Sequence, residues 1–292
     1  MLNKIKNFLL KNNINYYQIA VYDGNKINYQ AKENTHFFNN VYSLSKSITA
    51  TAIGILEYQG MINLDDKMSM YLNDYLKADY DKKLEDVTIK HLLSNSMGQD
   101  EGFLFGNDIY KHNTNDYVSL ILSKKLKYFP GEKMVYTNTN YYLLSVIIEK
   151  ITKRPAFEFI RDALFIPLSF NGYAAGTCPK GHTFGASNYF LNAVSILKLG
   201  ILYLNNGIYD GIRYLSESFI KEATSIKAPY KHRYYGYGFW INDLDNNFFY
   251  GDGAHGQIMA VYKKTNKVIV ITGYEDNFDY KEIAYQLEKL CK

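Results

Sequence analysis

Ser43-Leu44-Ser45-Lys46 places a hydroxyl and a primary amine three residues apart, a spacing that on a helix brings both to one face. A serine hydroxyl is a weak nucleophile until a neighbour takes its proton. A lysine desolvated between a helix and a sheet has its pKa lowered enough to serve as that base. The same spacing recurs at Ser195-Ile196-Leu197-Lys198 and at Ser218-Phe219-Ile220-Lys221, so context has to choose. Ser195 stands before the apolar run Ile196 to Leu204, and Ser218 follows Ser216-Glu217. Both read as helix-start residues, worth about 1 kcal/mol as caps. Ser43 differs, because it follows the β-prone Val41-Tyr42 and opens a helix of small and apolar residues, Thr49 to Ile55, suited to complete burial. A nucleophile on the first turn of such a helix also gains a backbone N–H directed at a developing oxyanion.

A second constellation is Tyr136-Thr137-Asn138, set in the longer frame from Phe129-Pro130-Gly131 to Asn140-Tyr141. Tyr-x-Asn alone recurs at Tyr71-Leu72-Asn73 and Tyr203-Leu204-Asn205, and only the frame separates the three. A phenol beside a lysine can share the base's proton and pass it to a leaving group. The Asn138 amide can hold both the lysine and a substrate carbonyl.

Val41 to Lys46, the segment Leu92-Leu93-Ser94-Asn95-Ser96-Met97-Gly98, the Phe-Pro-Gly to Tyr-Thr-Asn frame and Tyr235-Gly236-Tyr237-Gly238-Phe239-Trp240 come in the order found in serine β-lactamase-related proteins. Over roughly residues 15 to 275 the chain resembles the group of class C β-lactamases, penicillin-binding proteins and family VIII esterases. The resemblance implies Ser43 as nucleophile, Lys46 as base and Tyr136 as its partner. It also implies a Lys-Thr-Gly or His-x-Gly strand edging the site, and there the sequence departs. The matching run is Phe249-Tyr250-Gly251-Asp252-Gly253-Ala254, with Gly251 in place of the cation and Asp252 in place of the hydroxyl residue. Gly253 still permits close backbone approach, and the Ala254 N–H is the expected second oxyanion donor beside that of Ser43. An Asp252 facing the cleft would repel a substrate carboxylate and pair with an amine; the other reading has it capping the turn at Gly253-Ala254. His255 is a candidate for a direct role, against the commoner fate of a solvated turn histidine.

The elements that must position these groups read as follows. A helix over residues 2 to 12 precedes two strands, Tyr17 to Tyr22 and Lys26 to Gln30, joined at Asp23-Gly24. A helix from Ser43 stops near Gly60, and helical pattern continues at Ile89 to Asn95, Thr114 to Ser123, Tyr141 to Thr152, Ala156 to Ala163 and Ser195 to Leu204. Strand-like runs follow at Tyr237 to Asn242, Asn247 to Gly251, Gln257 to Tyr262 and Lys267 to Gly273, with a closing helix at Tyr280 to Leu290. The expected fold is α+β: one antiparallel sheet with flanking terminal helices, formed by residues 1–42 and 205–292, and an inserted, mainly helical lobe at 43–204, with the active site between them.

Composition narrows the partners. With 292 residues, 47% hydrophobic and 21% charged, the chain can bury a large core without metal or disulfides. Its net charge of +4 comes from scattered lysines, with no basic run to follow a phosphate backbone. No stretch reaches the eighteen or so apolar residues of a membrane span. Cys178 and Cys291 lack C-x-x-C spacing, and His36, His91, His112, His182, His232 and His255 lack metal-ligand spacing, so neither a metal nor another cofactor is expected. Asp65-Asp66 reads as turn capping. The apolar run of the first residues ends at Leu10, too short for a signal peptide core, and the expected location is the cytoplasm. The function expected is a serine hydrolase cleaving a small ester or amide through an acyl-enzyme. The alternatives are a β-lactamase or penicillin-binding D-amino peptidase, and a non-turnover sensor of the same fold.

Overall fold

The structure, a computed structural model, describes residues 1–33, 35, 37–105, 111–242 and 248–291. His36 and Asn247, the latter the expected start of a strand, lie outside the described residues. Helix α1 (Leu2–Lys11) leads into the hairpin of β1 (Tyr16–Tyr22) and β2 (Ile27–Ala31). Asp23 sets the hairpin turn: its Oδ1 accepts the N–H groups of Asn25 and Lys26 at 3.2 and 3.0 Å, while Gly24 supplies a φ of +96°.

The short β3 (Asn39–Asn40) and a 3₁₀ turn at Tyr42–Leu44 lead into α2 (Ser45–Tyr58), in which every residue from Ser45 to Leu56 is buried. A helix buried all round must be covered on every side, and its small residues let neighbours in. A Cβ at Gly54 would lie 2.4 Å from the Phe219 ring. The Ser47 and Thr49 hydroxyls donate to the carbonyls of Gly238 and Gly185, both at 2.6 Å. Beyond Tyr58 the Met61 N–H returns to the Leu56 carbonyl at 2.9 Å while Gly60 adopts a φ of +70°, a glycine-terminated stop. Of the helices that follow, α3 (Ser69–Leu72), α4 (Ile89–Leu93), α5 (Tyr117–Leu122), α6 (Thr139–Thr152) and α7 (Ala156–Ile160), it is α6 that packs along α2, and α3, α4 and α7 pack in turn on α6. The helix expected from Ala156 to Ala163 turns into a π-type segment at Arg161–Phe165.

Strands β4 (Ala174–Ala175) and β5 (Tyr189–Leu191) join β3 in a small sheet, and α8 (Ala193–Leu204) follows. The hairpin of β6 (Ile208–Tyr209) and β7 (Ile212–Arg213) precedes α9 (Glu217–Ala223). Then come β8 (Ala228–Tyr230), β9 (Arg233–Tyr235), β10 (Trp240–Asn242), β11 (Phe248–Gly253), β12 (Gln257–Tyr262), β13 (Lys267–Gly273) and α10 (Tyr280–Cys291). The large sheet has the antiparallel order β2-β1-β13-β12-β11-β10-β9-β8, so the two ends of the chain meet through β1 and β13, with Ile19 opposite Ile271.

Strand alternation divides the core in two. Ile258, Ile269 and Ile271 face the terminal helices with Ile5, Leu9 and Leu287, while Met259, Val268 and Val270 face the helical side. There α8 packs so closely that a Cβ at Gly200 would lie 2.5 Å from Val268. Among the described residues no helix is long and apolar enough to cross a membrane.

Two expected caps fall elsewhere. Asn192 caps α8, accepting the Ser195 N–H at 2.8 Å, and Ser216 caps α9, accepting the Phe219 N–H at 3.0 Å. The helices start earlier than their apolar runs suggested, leaving Ser195 inside its first turn. The buried Ser195 hydroxyl has no hydrogen-bond partner among the described residues. Asn192→Ala should therefore cost about 1 kcal/mol in urea unfolding, and Ser195→Ala little or nothing, since it removes an unsatisfied hydroxyl.

Candidate functional site

The residue before Ser43 carries the strain of the turn. Tyr42 has a φ of +47°, held by its own N–H donating to Asn40 Oδ1 at 2.8 Å and by the Leu44 N–H donating to the Val41 carbonyl at 3.1 Å. Ser43 thus lies in a 3₁₀ turn before the helix, a tighter start than the helical first turn expected from the S-x-x-K spacing. The hydroxyl stays within reach all the same: Lys46 Nζ is 3.2 Å from Ser43 Oγ.

Lys46 is 1% exposed. Its other partners are Asn138 Oδ1 at 2.7 Å and the Ala186 carbonyl at 3.0 Å. All three are neutral acceptors, so burial dominates and draws the lysine pKa down to about 7, with the more distant Asp252 carboxylate pulling the other way. Asn138 sits just before α6, and its Nδ2 donates to the Leu104 carbonyl at 2.8 Å, which turns Oδ1 toward the lysine.

The Tyr136 ring stacks on Trp240 with centroids 5.3 Å apart and lies 4.9 Å from Lys46 Nζ, while Phe105 stacks at 6.4 Å. Its pKa is raised well above that of free tyrosine, first by burial and then by Tyr235 and Asp252; a hydrogen bond with Ser43 opposes the rise. The phenol is therefore protonated at neutral pH.

The end of β11 is pressed against the turn that carries Ser43. A Cβ at Gly253 would lie 2.0 Å from the Val41 carbonyl oxygen, so only glycine fits. Ala254 is the one exposed residue of the turn from Gly253 to Gly256.

One expectation about this strand is corrected. Asp252 does not present a free carboxylate to the cleft, nor does it cap the turn. Its Oδ2 accepts from Arg233 at 2.9 Å and its Oδ1 from the Trp240 indole N–H at 2.8 Å. Burial raises its pKa while Arg233 and the indole oppose the rise. The Arg233 guanidinium lies 3.7 Å over the Trp240 ring. His255 has a φ of +62°, with its Nδ1 2.7 Å from Asp276 Oδ1, its ring stacked on Tyr274 at 4.4 Å and edge-on to the ring of Tyr42, the residue before Ser43, at 5.0 Å. A Cβ at Gly251 would lie 2.7 Å from Ser47 Oγ on α2, so a side chain there would have to displace the hydroxyl that donates to the Gly238 carbonyl.

Sequence reasoning missed the Ala186 carbonyl, which has no side-chain signature, and the pairing of Arg233 with Asp252. The single tryptophan of the chain next to the Tyr235 to Phe239 motif was the available signal for the second. Arg233→Met should strand a buried carboxylate and cost roughly 3–5 kcal/mol in urea unfolding. Combining it with Asp252→Asn should recover part of that loss.

The family model described as Beta-lactamase matches residues 4–288. Penicillin-binding protein 4* of Bacillus subtilis (strain 168) is 36% identical over 135 residues, a match that spans 44% of this chain and 28% of that relative. The penicillin binding protein from Bacillus halodurans superposes with a TM-score of 0.78 at 18% identity, covering 98% of this chain and 99% of the other. A D-stereospecific amidohydrolase from Streptomyces sp. gives a TM-score of 0.72 at 18% identity over 93% of this chain and 92% of its own. The two structural likenesses establish the shared fold.

Proposed function

This chain belongs to the Beta-lactamase family, and on that premise we propose that it is a serine hydrolase that cleaves a small, uncharged ester or amide through an acyl-enzyme at Ser43. The observation that carries the reading is the buried Lys46 amine 3.2 Å from the Ser43 hydroxyl with its pKa lowered to about 7. An amine poised there is half deprotonated near neutrality and can accept the serine proton.

In the proposed first step Lys46 takes the Ser43 proton as Oγ attacks the substrate carbonyl. The N–H groups of Ser43 and Ala254 receive the oxyanion. Tyr136 donates its proton to the leaving group, and the Lys46 ammonium replaces it. Water then attacks the acyl-enzyme, giving one proton to the site and its hydroxide to the acyl carbon, and Ser43 recovers its proton as the acid departs. Asn138 holds the lysine and offers its amide edge to the substrate.

The uncharged preference rests on Asp252 and Arg233, which neutralise one another, and on Gly251, which puts no cation at its place on β11. A second reading, β-lactamase or D-amino peptidase, is favoured by the 36% identity with penicillin-binding protein 4*. A penicillin carboxylate would meet no unpaired cation on this strand, which weighs against that reading.

Ser43→Ala should abolish labelling by a fluorophosphonate, read by intact mass, and turnover of a chromogenic short-chain ester. Labelling of the parent without turnover would favour the sensor alternative, and faster turnover of a penicillin than of the ester would favour the second reading. Lys46→Ala should lower kcat far more than it raises KM. In the parent the acylation rate should rise with pH through about 7, as the amine loses its proton. A flat profile between roughly pH 6 and 9 would remove the titrating base.

A further inference from the structure

The turn from Gly253 to Gly256 is tied to a segment that the proposed mechanism does not use. Tyr280, the first residue of α10, donates its hydroxyl to the Gly253 carbonyl at 2.7 Å, and that hydroxyl accepts the Gly256 N–H at 3.0 Å. One phenol thus closes the turn across both ends. The Glu275 N–H donates to the His255 carbonyl at 3.1 Å, and the His255 ring is held by Asp276 and Tyr274. The Phe278 ring packs beside Gly256, 3.3 Å from where a Cβ would stand, and against Tyr280 with centroids 4.8 Å apart. Gly253, His255 and Gly256 are each engaged from residues 274–280, while Ala254 is left exposed.

We propose that the segment Tyr274–Tyr280 is the positioning device of the oxyanion hole and that the Tyr280 hydroxyl is its principal tie. This rests on the reading of Ser43 and Ala254 given above. Peptide N–H groups stabilise a developing oxyanion only when they are aimed before charge appears, so the direction of the Ala254 N–H matters more than its presence. The Ala254 N–H shares its peptide plane with the Gly253 carbonyl, so the Tyr280 hydroxyl that holds this carbonyl also sets the direction of the N–H, while its bond from Gly256 closes the far end of the turn. A phenol suits the task because it is donor and acceptor at once. Burial holds the Tyr280 pKa up at about 12, so it stays protonated and keeps the donated bond at working pH. Tyr280 touches no reacting atom; it acts through the turn.

The test is Tyr280→Phe, which keeps the ring and removes both hydrogen bonds. Rates are expressed per Ser43 titrated with fluorophosphonate, so that a misfolded fraction does not count. Losing an oxyanion donor outright costs roughly 100- to 1000-fold in kcat; misaiming one should cost on the order of tenfold, with KM nearly unchanged. Affinity for a boronic acid, whose tetrahedral adduct places an oxygen in the hole, should weaken by the same factor, while inhibition by the carboxylic acid product should not change. A merely structural role would lower the melting temperature and the titrated fraction and leave kcat per site and the boronate affinity as in the parent; that result overturns the proposal. Should Tyr280→Phe fail to fold, Asp276→Ala decides: it cuts the tie to His255 at an exposed carboxylate and should lower kcat a few-fold at constant KM, and an unchanged kcat overturns the proposal. Failure of the underlying reading looks different, since Ser43→Ala would then retain turnover in the parent background.

Discussion

An ammonium group taken out of water needs either a counter-charge or a way to lose its proton, and Lys46 has been given only neutral acceptors. That choice governs the surroundings. Three acceptors match the three donors of the charged form, so the protonated lysine is fully hydrogen-bonded though poorly solvated. On deprotonation the amine keeps two donors and turns its lone pair toward Ser43. Placing a carboxylate at hydrogen-bond distance instead would restore an ordinary or raised pKa and abolish the base. The arrangement costs stability. With a folded pKa near 7 against an unfolded value of 10.5, the unfolded chain binds more protons between those limits, so stability rises with pH across that window. Below about pH 7 the burial penalty is fully felt, on the order of a few kcal/mol.

The neighbouring charges follow from the same constraint. Asp252 is close enough to be felt by Lys46, and a free carboxylate there would pull the lysine pKa back up. Arg233 and the Trp240 indole occupy both of its oxygens. Trp240 is at once the partner of Asp252, the platform under Arg233 and the surface on which Tyr136 stacks. The charge pair is thus coupled to the placing of the proposed proton donor, and the strand on which it sits can carry a glycine at position 251 against α2.

How far all this was readable before the structure depended on how local each signal was. The i to i+3 relation of Ser43 and Lys46 needs only a helical or 3₁₀ turn, and β13 was legible to its end residues, Lys267 and Gly273, because a doubly covered strand is a continuous apolar run bounded by turn residues. The short β8 and β9 were not seen, since Ala228–Tyr230 and Arg233–Tyr235 are too brief and too polar to show a period. Asp252 was misread because its partner lies nineteen residues earlier on a strand two places away in the sheet. Caps were misplaced by two or three residues where Asn192 and Ser216 competed with nearby serines. At the site itself the missed contacts were a backbone carbonyl, that of Ala186, and a long-range pair, Arg233 with Asp252, neither of which residue type and spacing encode.

The central claim is that Lys46 is a desolvated amine whose proton leaves near neutrality. It is tested most directly by heteronuclear NMR of the protein labelled at lysine Cε and Nζ, with the Lys46 resonance assigned by its disappearance in Lys46→Met. The account predicts that this one resonance titrates near pH 7 while the exposed lysines titrate near the reference value of about 10.4. A Lys46 resonance that titrates with the exposed lysines would contradict it, leaving Ser43 without a base at neutral pH.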